Sequence, residues 1–250
     1  MLDKGIHFVF QHVPFPKRVQ WFLKCWDTWK DSFIPEDSIV LIQSGDGRTT
    51  LPEPNCEYRE IYTDKLMLAA SKRSIGVALA EKEYTMLIDD DILLLNKDWR
   101  KLVQEAIEEL SINKNRVGLF NIAPFTEHYK MGRVSVNGFD WYRMDRIGLN
   151  AVLAPTLLWK AFPHLNYTTS ADKTIMDFFS KYTELTLWYS VEKMTEHLSI
   201  DDSLFHNRKY RDIRRHKNEW FLAYAKQILG MEKLIKEQVK HARLDKYEKL

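Results

Sequence analysis

Apolar positions along this chain follow two rhythms, short continuous runs and a three-four stepping, and through the first half the two alternate. Residues 6–13 are apolar and aromatic and predict a strand. Past the turn at Pro14 and Pro16, Val19, Phe22, Leu23, Trp26 and Trp29 recur at helical spacing and predict a helix over 18–30. A second strand is predicted over 38–43 and ends in the loop Ser44-Gly45-Asp46-Gly47, and a third over 58–62. Leu68, Ile75 and Leu79 step as one face of a helix over 65–82, and the apolar run 84–95 reads as a buried strand. A helix over 98–110, capped by Asn96 or Asp98, and a fifth strand over 117–122 complete the pattern. Alternating strands and helices predict an α/β fold with a mainly parallel sheet flanked by helices.

Later segments are less regular. Residues 126–165 carry Trp141, Tyr142, Arg143, Arg146 and Trp159 without clear periodicity. They suit either a loop that stacks and pairs with a ligand or a packed β-ribbon, with Trp159 the better core residue. A helix is predicted over 175–182. From Phe221 to Ala242 the apolar residues step by three and four, which predicts a basic C-terminal helix with one buried stripe.

With 250 residues, 45% of them hydrophobic and 13% aromatic, the chain can fill a substantial core. Cys25 and Cys56 form no CxxC and have no companion His cluster, so neither a zinc site nor a disulfide framework is expected. The amino terminus lacks the layout of a signal peptide, and no apolar stretch reaches the roughly 20 residues of a membrane span. A cytoplasmic protein, not secreted, is expected. Net charge is only +2, yet residues 206–250 hold 13 Lys or Arg against 6 Asp or Glu. Arg208, Arg211, Arg214 and Arg215 lie in its densest cluster. Such a segment suits a polyanion, either nucleic acid or an anionic membrane surface, or else a well-solvated helix.

The chemistry concentrates at Asp89, Asp90 and Asp91, three consecutive carboxylates at the end of an apolar run. Carboxylate desolvation costs several kcal/mol per ion unless compensated, so the run is either an acidic turn or a site for a cation. Hard oxygen donors suit Mg²⁺ or Mn²⁺ and the phosphates that such ions carry. In parallel sheets ligands collect beyond the carboxyl ends of strands, which groups Gln11 and His12, the 44–46 loop and Asp89 to Asp91 along one edge. Neither G-x-G-x-x-G after the first strand nor G-x-x-x-x-G-K-[ST] occurs, so the Rossmann and P-loop phosphate cradles are absent.

Arg73, Gly76 and Ala80, followed by the acidic strand over 84–91, resemble the helix and Asp-x-Asp strand of GT-A glycosyltransferases, particularly the inverting family 2 type. Ser74 stands where that family usually has Asn. The resemblance implies a GT-A fold with a donor half over 1–125, an acceptor half over 126–205 and a basic extension over 206–250. It implies that Asp91 binds the ion bridging a nucleotide-sugar diphosphate, with Asp89 nearer the ribose, although three consecutive aspartates leave that register open. Asp89 and His197 are further candidate ligands of Mn²⁺ or Mg²⁺, and Gln11, Asp46, Arg73 and Asp90 are candidates for holding the nucleotide sugar. The donor expected is a UDP-sugar.

Inverting transfer needs a base on the acceptor hydroxyl, and the family places a carboxylate at the start of a helix in the acceptor half. Asp172 matches that place, with Asp177 second; the competing reading is that Ser170 or Asp172 caps the helix. Trp141, Tyr142, Arg143 and Arg146, with Arg208, Arg211, Arg214 and Arg215, are the candidate acceptor contacts. The acceptors considered are a hydroxyl-bearing base in phage-type DNA, favoured slightly, which would set a phage-encoded chain in the host cell's cytoplasm, and a surface glycan or lipid-linked sugar built by a peripheral membrane enzyme whose basic segment faces anionic lipid. A noncatalytic nucleotide-binding module and a metal-dependent phosphotransferase or nucleotidyltransferase are the alternatives of other classes.

Overall fold

The computed structural model describes residues 2–67, 69–112, 118–122, 130–144, 148–161 and 186–198. The predicted helix over 175–182, the base candidates Asp172 and Asp177, Arg146, and the basic segment with Arg208, Arg211, Arg214 and Arg215 lie outside the described residues.

The first half alternates as its pattern requires: β1 (Ile6–His12), α1 (Pro16–Trp29), β2 (Ser38–Ser44), β3 (Glu57–Thr63), α2 (Ala69–Ala78) and β4 (Tyr84–Asp89). The apolar run expected as one strand breaks after Asp89, and its second part forms a separate strand, β5 (Ile92–Leu94). Next come α3 (Trp99–Ala106), which continues as a wider helical stretch over Ile107–Ile112, and β6 (Gly118–Asn121). The irregular middle forms the β-ribbon that was one of its two readings, β7 (Lys130–Val136) and β8 (Phe139–Met144), turning at Asn137 and Gly138, both at positive φ. It leads to β9 (Ala151–Pro155) and α4 (Thr156–Ala161); β10 (Thr186–Ser190) and β11 (Thr195–His197) complete the described elements.

Among the described residues, nine strands form one sheet in the order β3-β2-β1-β4-β9-β6-β10-β8-β7. β1, β2, β3 and β4 run parallel, and so do β6 and β10, while β8 and β9 oppose their neighbours. Parallel central strands are buried on both faces, which is why β1 and β2 are buried at every position, with apolar runs over Phe8–Phe10 and Ile39–Ile42 and polar residues toward their ends.

Strand alternation assigns the two faces. Phe8, Phe10, Met86 and Ile88 meet Phe22, Trp26 and Trp29 of α1 and Trp99 and Val103 of α3. Val9, Leu87, Val152 and Ala154 meet Val77 of α2 and Leu158 and Trp159 of α4. Trp159 is wholly buried and its Nε1 donates to the Thr85 carbonyl, so it is a core residue. The α1 stripe differs from the sequence reading: Leu23 is exposed, and Arg18 and Cys25 are buried.

Two features set the spacing behind the site. Gly76 lets α2 approach β1 so closely that a Cβ there would lie 2.3 Å from Val9 Cγ1. At the opposite end of the strands, buried Asp37 accepts the Ile6 and Ile34 amides at 2.8 and 2.9 Å and pairs with Arg100 at 2.6 Å.

Candidate active site at the carboxyl edge of the sheet

The parallel register sets Gln11 beside Asp89 and His12 beside Gln43 at the carboxyl ends of β1, β2 and β4. Because side chains alternate along a strand, Gln11 and Asp89 fall on the α2 face, whereas His12 and Asp90 fall on the α1 face. The three aspartates therefore separate in space.

Asp89 accepts hydrogen bonds from Gln11 Nε2 and, at 3.2 Å, from Arg73 Nη2, which also reaches the Leu149 carbonyl at 3.2 Å. At 24% side-chain exposure it is the open member of the three. Gln11 Oε1 is buried with no hydrogen-bond partner among the described residues, so this corner retains an acceptor for a ligand hydroxyl.

Asp90 is turned inward. His12 Nδ1 donates to its Oδ2 at 2.5 Å, and Arg18 from the first turn of α1 donates through Nη2 to Oδ1 and through Nε to Oδ2 at 3.3 Å. Burial pushes this carboxyl up, but Arg18 and His12 outweigh it and hold the group below the ordinary carboxylate range. Both oxygens are committed, so the expectation that Asp90 contacts a nucleotide sugar is corrected: the fall of β4 aims it at α1. A basic residue in a first helical turn opposes the helix dipole by about 0.3–1 kcal/mol. The buried pair with Asp90 offsets that.

Asp91 follows the strand. Arg18 Nη2 also donates to its Oδ2 at 3.2 Å, while Oδ1 lies 3.4 Å from His197 Nε2. Burial, then the neighbouring Asp90 charge, push its carboxyl up, and Arg18 only partly opposes them. His197 arrives because β11 pairs antiparallel with β5, setting it opposite Ile92, and the Leu198 amide donates to the Asp91 carbonyl at 2.9 Å. His197 Nδ1 is buried without a partner among the described residues.

The 44–49 loop is closed by Gln43, which donates to the Thr49 carbonyl at 2.7 Å and accepts the Thr49 amide at 2.9 Å. Gly45 and Gly47, both at positive φ, flank exposed Asp46 at the tip. His12 Nε2 and Thr49 Oγ1 share a hydrogen bond at 2.9 Å, so one imidazole ties this loop to Asp90. Lys72 is buried behind it and donates to the His12 carbonyl at 3.0 Å. Burial holds its ammonium down to about 7, against the partly opposing pull of Asp90.

The structure thus brings Gln11, Arg73, Asp89, Asp91 and His197 to one edge, with Asp46 on the neighbouring loop. Trp141 does not join them. It is wholly buried against Phe120 and Phe139, ring centres 5.6 and 5.5 Å away, so its expected role as an acceptor platform is corrected to a core role. Tyr142 and Arg143 are half-buried on opposite faces of β8. Sequence reasoning missed Arg18 and Lys72, which sit in the apolar stripes of their helices; an Arg in a first turn, where a cation is disfavoured, was the available signal.

Among the described residues no group of three or more His, Cys, Asp or Glu side chains is set to hold a metal ion. Asp91 Oδ1 and His197 Nε2 form a two-donor edge. Ligands bonded at 2.0–2.2 Å stand about 3 Å apart around an octahedral ion, so their 3.4 Å separation is near what one ion would span. Mg²⁺-type ions often take only one or two carboxylates and complete their shell with substrate phosphates and water, and the donor set fits that usage.

No family model matches the chain, and no curated protein matches it in sequence. Solved structures match it in fold. S. aureus TarS 1-349 aligns with a TM-score of 0.56 at 13% identity, over 78% of this chain and 60% of that one. The same protein in complex with UDP-GlcNAc aligns at 0.54 and 13%, over 80% and 62%, and in complex with UDP at 0.54 and 14%, over 77% and 60%. The chain spans about 60% of the length of these structures. At this identity the likeness is one of fold: a GT-A arrangement of a large, mostly parallel sheet flanked by helices. No described helix is long and apolar enough to cross a membrane.

Proposed function

We propose that the protein is a glycosyltransferase that moves a sugar from a UDP-sugar to an acceptor hydroxyl. The observation that carries this reading is the splitting of the acidic triplet: Asp90 is locked inward while Asp89 and Asp91 face the strand-end edge, with Gln11, Arg73 and His197 around them. Its fold neighbours, solved with UDP-GlcNAc and UDP, support the choice of donor.

In this reading Asp46 receives the base, Gln11 Oε1 and Asp89 receive ribose hydroxyls, and Arg73 both holds Asp89 and lends positive charge toward the diphosphate. Asp91 and His197 would hold a Mn²⁺ or Mg²⁺ ion, which when bound neutralises charge developing on the departing diphosphate. Asp172, with Asp177 second, takes the proton from the acceptor hydroxyl, giving inversion. General-base catalysis of this kind is worth about 10² to 10⁴ in rate. The acceptor is polyanionic on the charge of residues 206–250, with a hydroxyl-bearing DNA base placed first.

The test is thermal shift against UDP, GDP, TDP and CDP with and without Mn²⁺, followed by UDP release from UDP-sugars. Ligand at 100 times its Kd should add about 2.7 kcal/mol to stability. Stabilisation by UDP that grows with Mn²⁺ and weakens in Asp91→Asn is expected. No stabilisation by any nucleotide would sink the reading, and pyrophosphate release without sugar transfer would replace it with nucleotidyl transfer. Duplex binding in gel shift that ignores salt would remove DNA as acceptor.

A further inference from the structure

Arg18 contacts two of the three aspartates with one nitrogen. Its Nη2 donates to Asp90 Oδ1 and to Asp91 Oδ2, the latter at 3.2 Å, while Nε reaches Asp90 Oδ2 at 3.3 Å. An ion pair with Asp90 alone would already balance the charge of the guanidinium. The added reach to Asp91 has a geometric consequence: with Oδ2 held by Arg18, the Asp91 carboxylate is rotated so that Oδ1 looks toward His197 Nε2, 3.4 Å away.

We propose that Arg18 is a positioning residue, which sets the Asp91 carboxylate by one oxygen so that the other, with His197, forms the two-donor edge for a divalent ion; this rests on the functional reading above. The planar fork is what the task requires. A guanidinium offers donors in fixed directions to two carboxylates at once, whereas an ammonium is a point charge that follows the nearer one. The residue is itself held in place: Pro16 opens α1 with its φ already helical, and Phe22 one turn on stacks against His12, the other partner of Asp90, at 4.4 Å. Asp90 thereby serves as an anchor for Arg18 rather than as a ligand, which accounts for a third aspartate where an ion edge needs only one.

Two variants of the full chain test this. Arg18→Lys keeps the charge and loses the fork. Arg18→Met combined with Asp90→Asn removes the buried charge together with its partner, so that folding is preserved if the single change fails to fold. Mn²⁺ binding is read from loss of the free-ion electron paramagnetic resonance signal, with and without UDP, and UDP binding in EDTA is read by calorimetry. In folded variants the apparent Kd for Mn²⁺ should rise by about tenfold or more, as when an outer-shell partner of a ligand is removed, while UDP binding in EDTA stays unchanged. Mn²⁺ affinity equal to that of the wild type in a folded variant overturns the proposal, as does UDP binding in EDTA that falls in step with it. If the wild-type protein binds Mn²⁺ but no UDP, the nucleotide-sugar reading fails by itself, and the Mn²⁺ comparison between variants still decides the role of Arg18.

Discussion

Gly76→Ala is the smallest change that tests how the site is suspended. The added methyl carbon would lie 2.3 Å from Val9 Cγ1, 2.9 Å from Cγ2 and 3.1 Å from Cβ, so α2 must lift from β1 by more than 1 Å or Val9 must leave its rotamer. Overpacking of this kind costs about 1–3 kcal/mol. The exchange of Gly for Ala in a helix returns about 0.8–1.0 kcal/mol, so the net loss expected is about 0–2 kcal/mol. For a chain of this size that lowers the Tm by about 2–4 °C per kcal/mol. The effect should reach the site, since Arg73 lies one turn earlier on the same helix and meets Asp89 at 3.2 Å. Nucleotide affinity should therefore fall together with stability. Urea denaturation of Gly76→Ala, Val9→Ala and the double variant measures the clash directly. Val9→Ala removes both offending methyls, and although it is destabilising by itself, the double variant should be more stable than the sum of the two losses by about 1 kcal/mol or more. Losses that simply add would refute the argument that close approach at Gly76 sets the position of α2.

Further expectations concern charge. His7 is buried with Nε2 donating to the Gly76 carbonyl at 3.1 Å and Nδ1 sharing a hydrogen bond with Ser38 Oγ at 2.8 Å, and burial lowers its imidazolium to about 4. The unfolded chain then binds the extra proton between about pH 6.5 and 4, so stability present above pH 6.5 is lost as pH falls through that window, by about 3 kcal/mol. Urea midpoints across this range should flatten in His7→Gln, and an unaltered acid limb would contradict the assignment. Asp37→Ala leaves the Ile6 and Ile34 amides without their acceptor and Arg100 without its counter-ion, and should cost about 3–5 kcal/mol by the same assay. A loss below 1 kcal/mol would show that water or a neighbour replaces the carboxylate. Asp90→Asn alone should destabilise by a similar amount, about 3–5 kcal/mol, because it weakens the hold on both Arg18 and His12; near-neutral stability would place Asp90 back among the ligand contacts.

The sequence by itself determined the order of elements through β6, apart from the break between β4 and β5, and the strand-end edge that sets Gln11 beside Asp89. Those properties are local: a strand buried on both faces carries a continuous apolar run, a surface helix must repeat every third or fourth residue, and both patterns are written in neighbouring positions. Helix ends were legible only loosely. The helix expected over 65–82 extends over Ala69–Ala78, since its ends depend on what packs beside them. Tertiary structure alone decided which aspartate faces outward, because the answer depends on where β4 ends and on Arg18 waiting on the α1 face. It alone brought His197 to Asp91 through the pairing of β11 with β5, and it alone turned Trp141 into the core, where an aromatic residue and a ligand platform look identical in sequence. Each of these is a contact between residues distant in the chain, and its free energy is set by burial and charge pairing that no local pattern encodes.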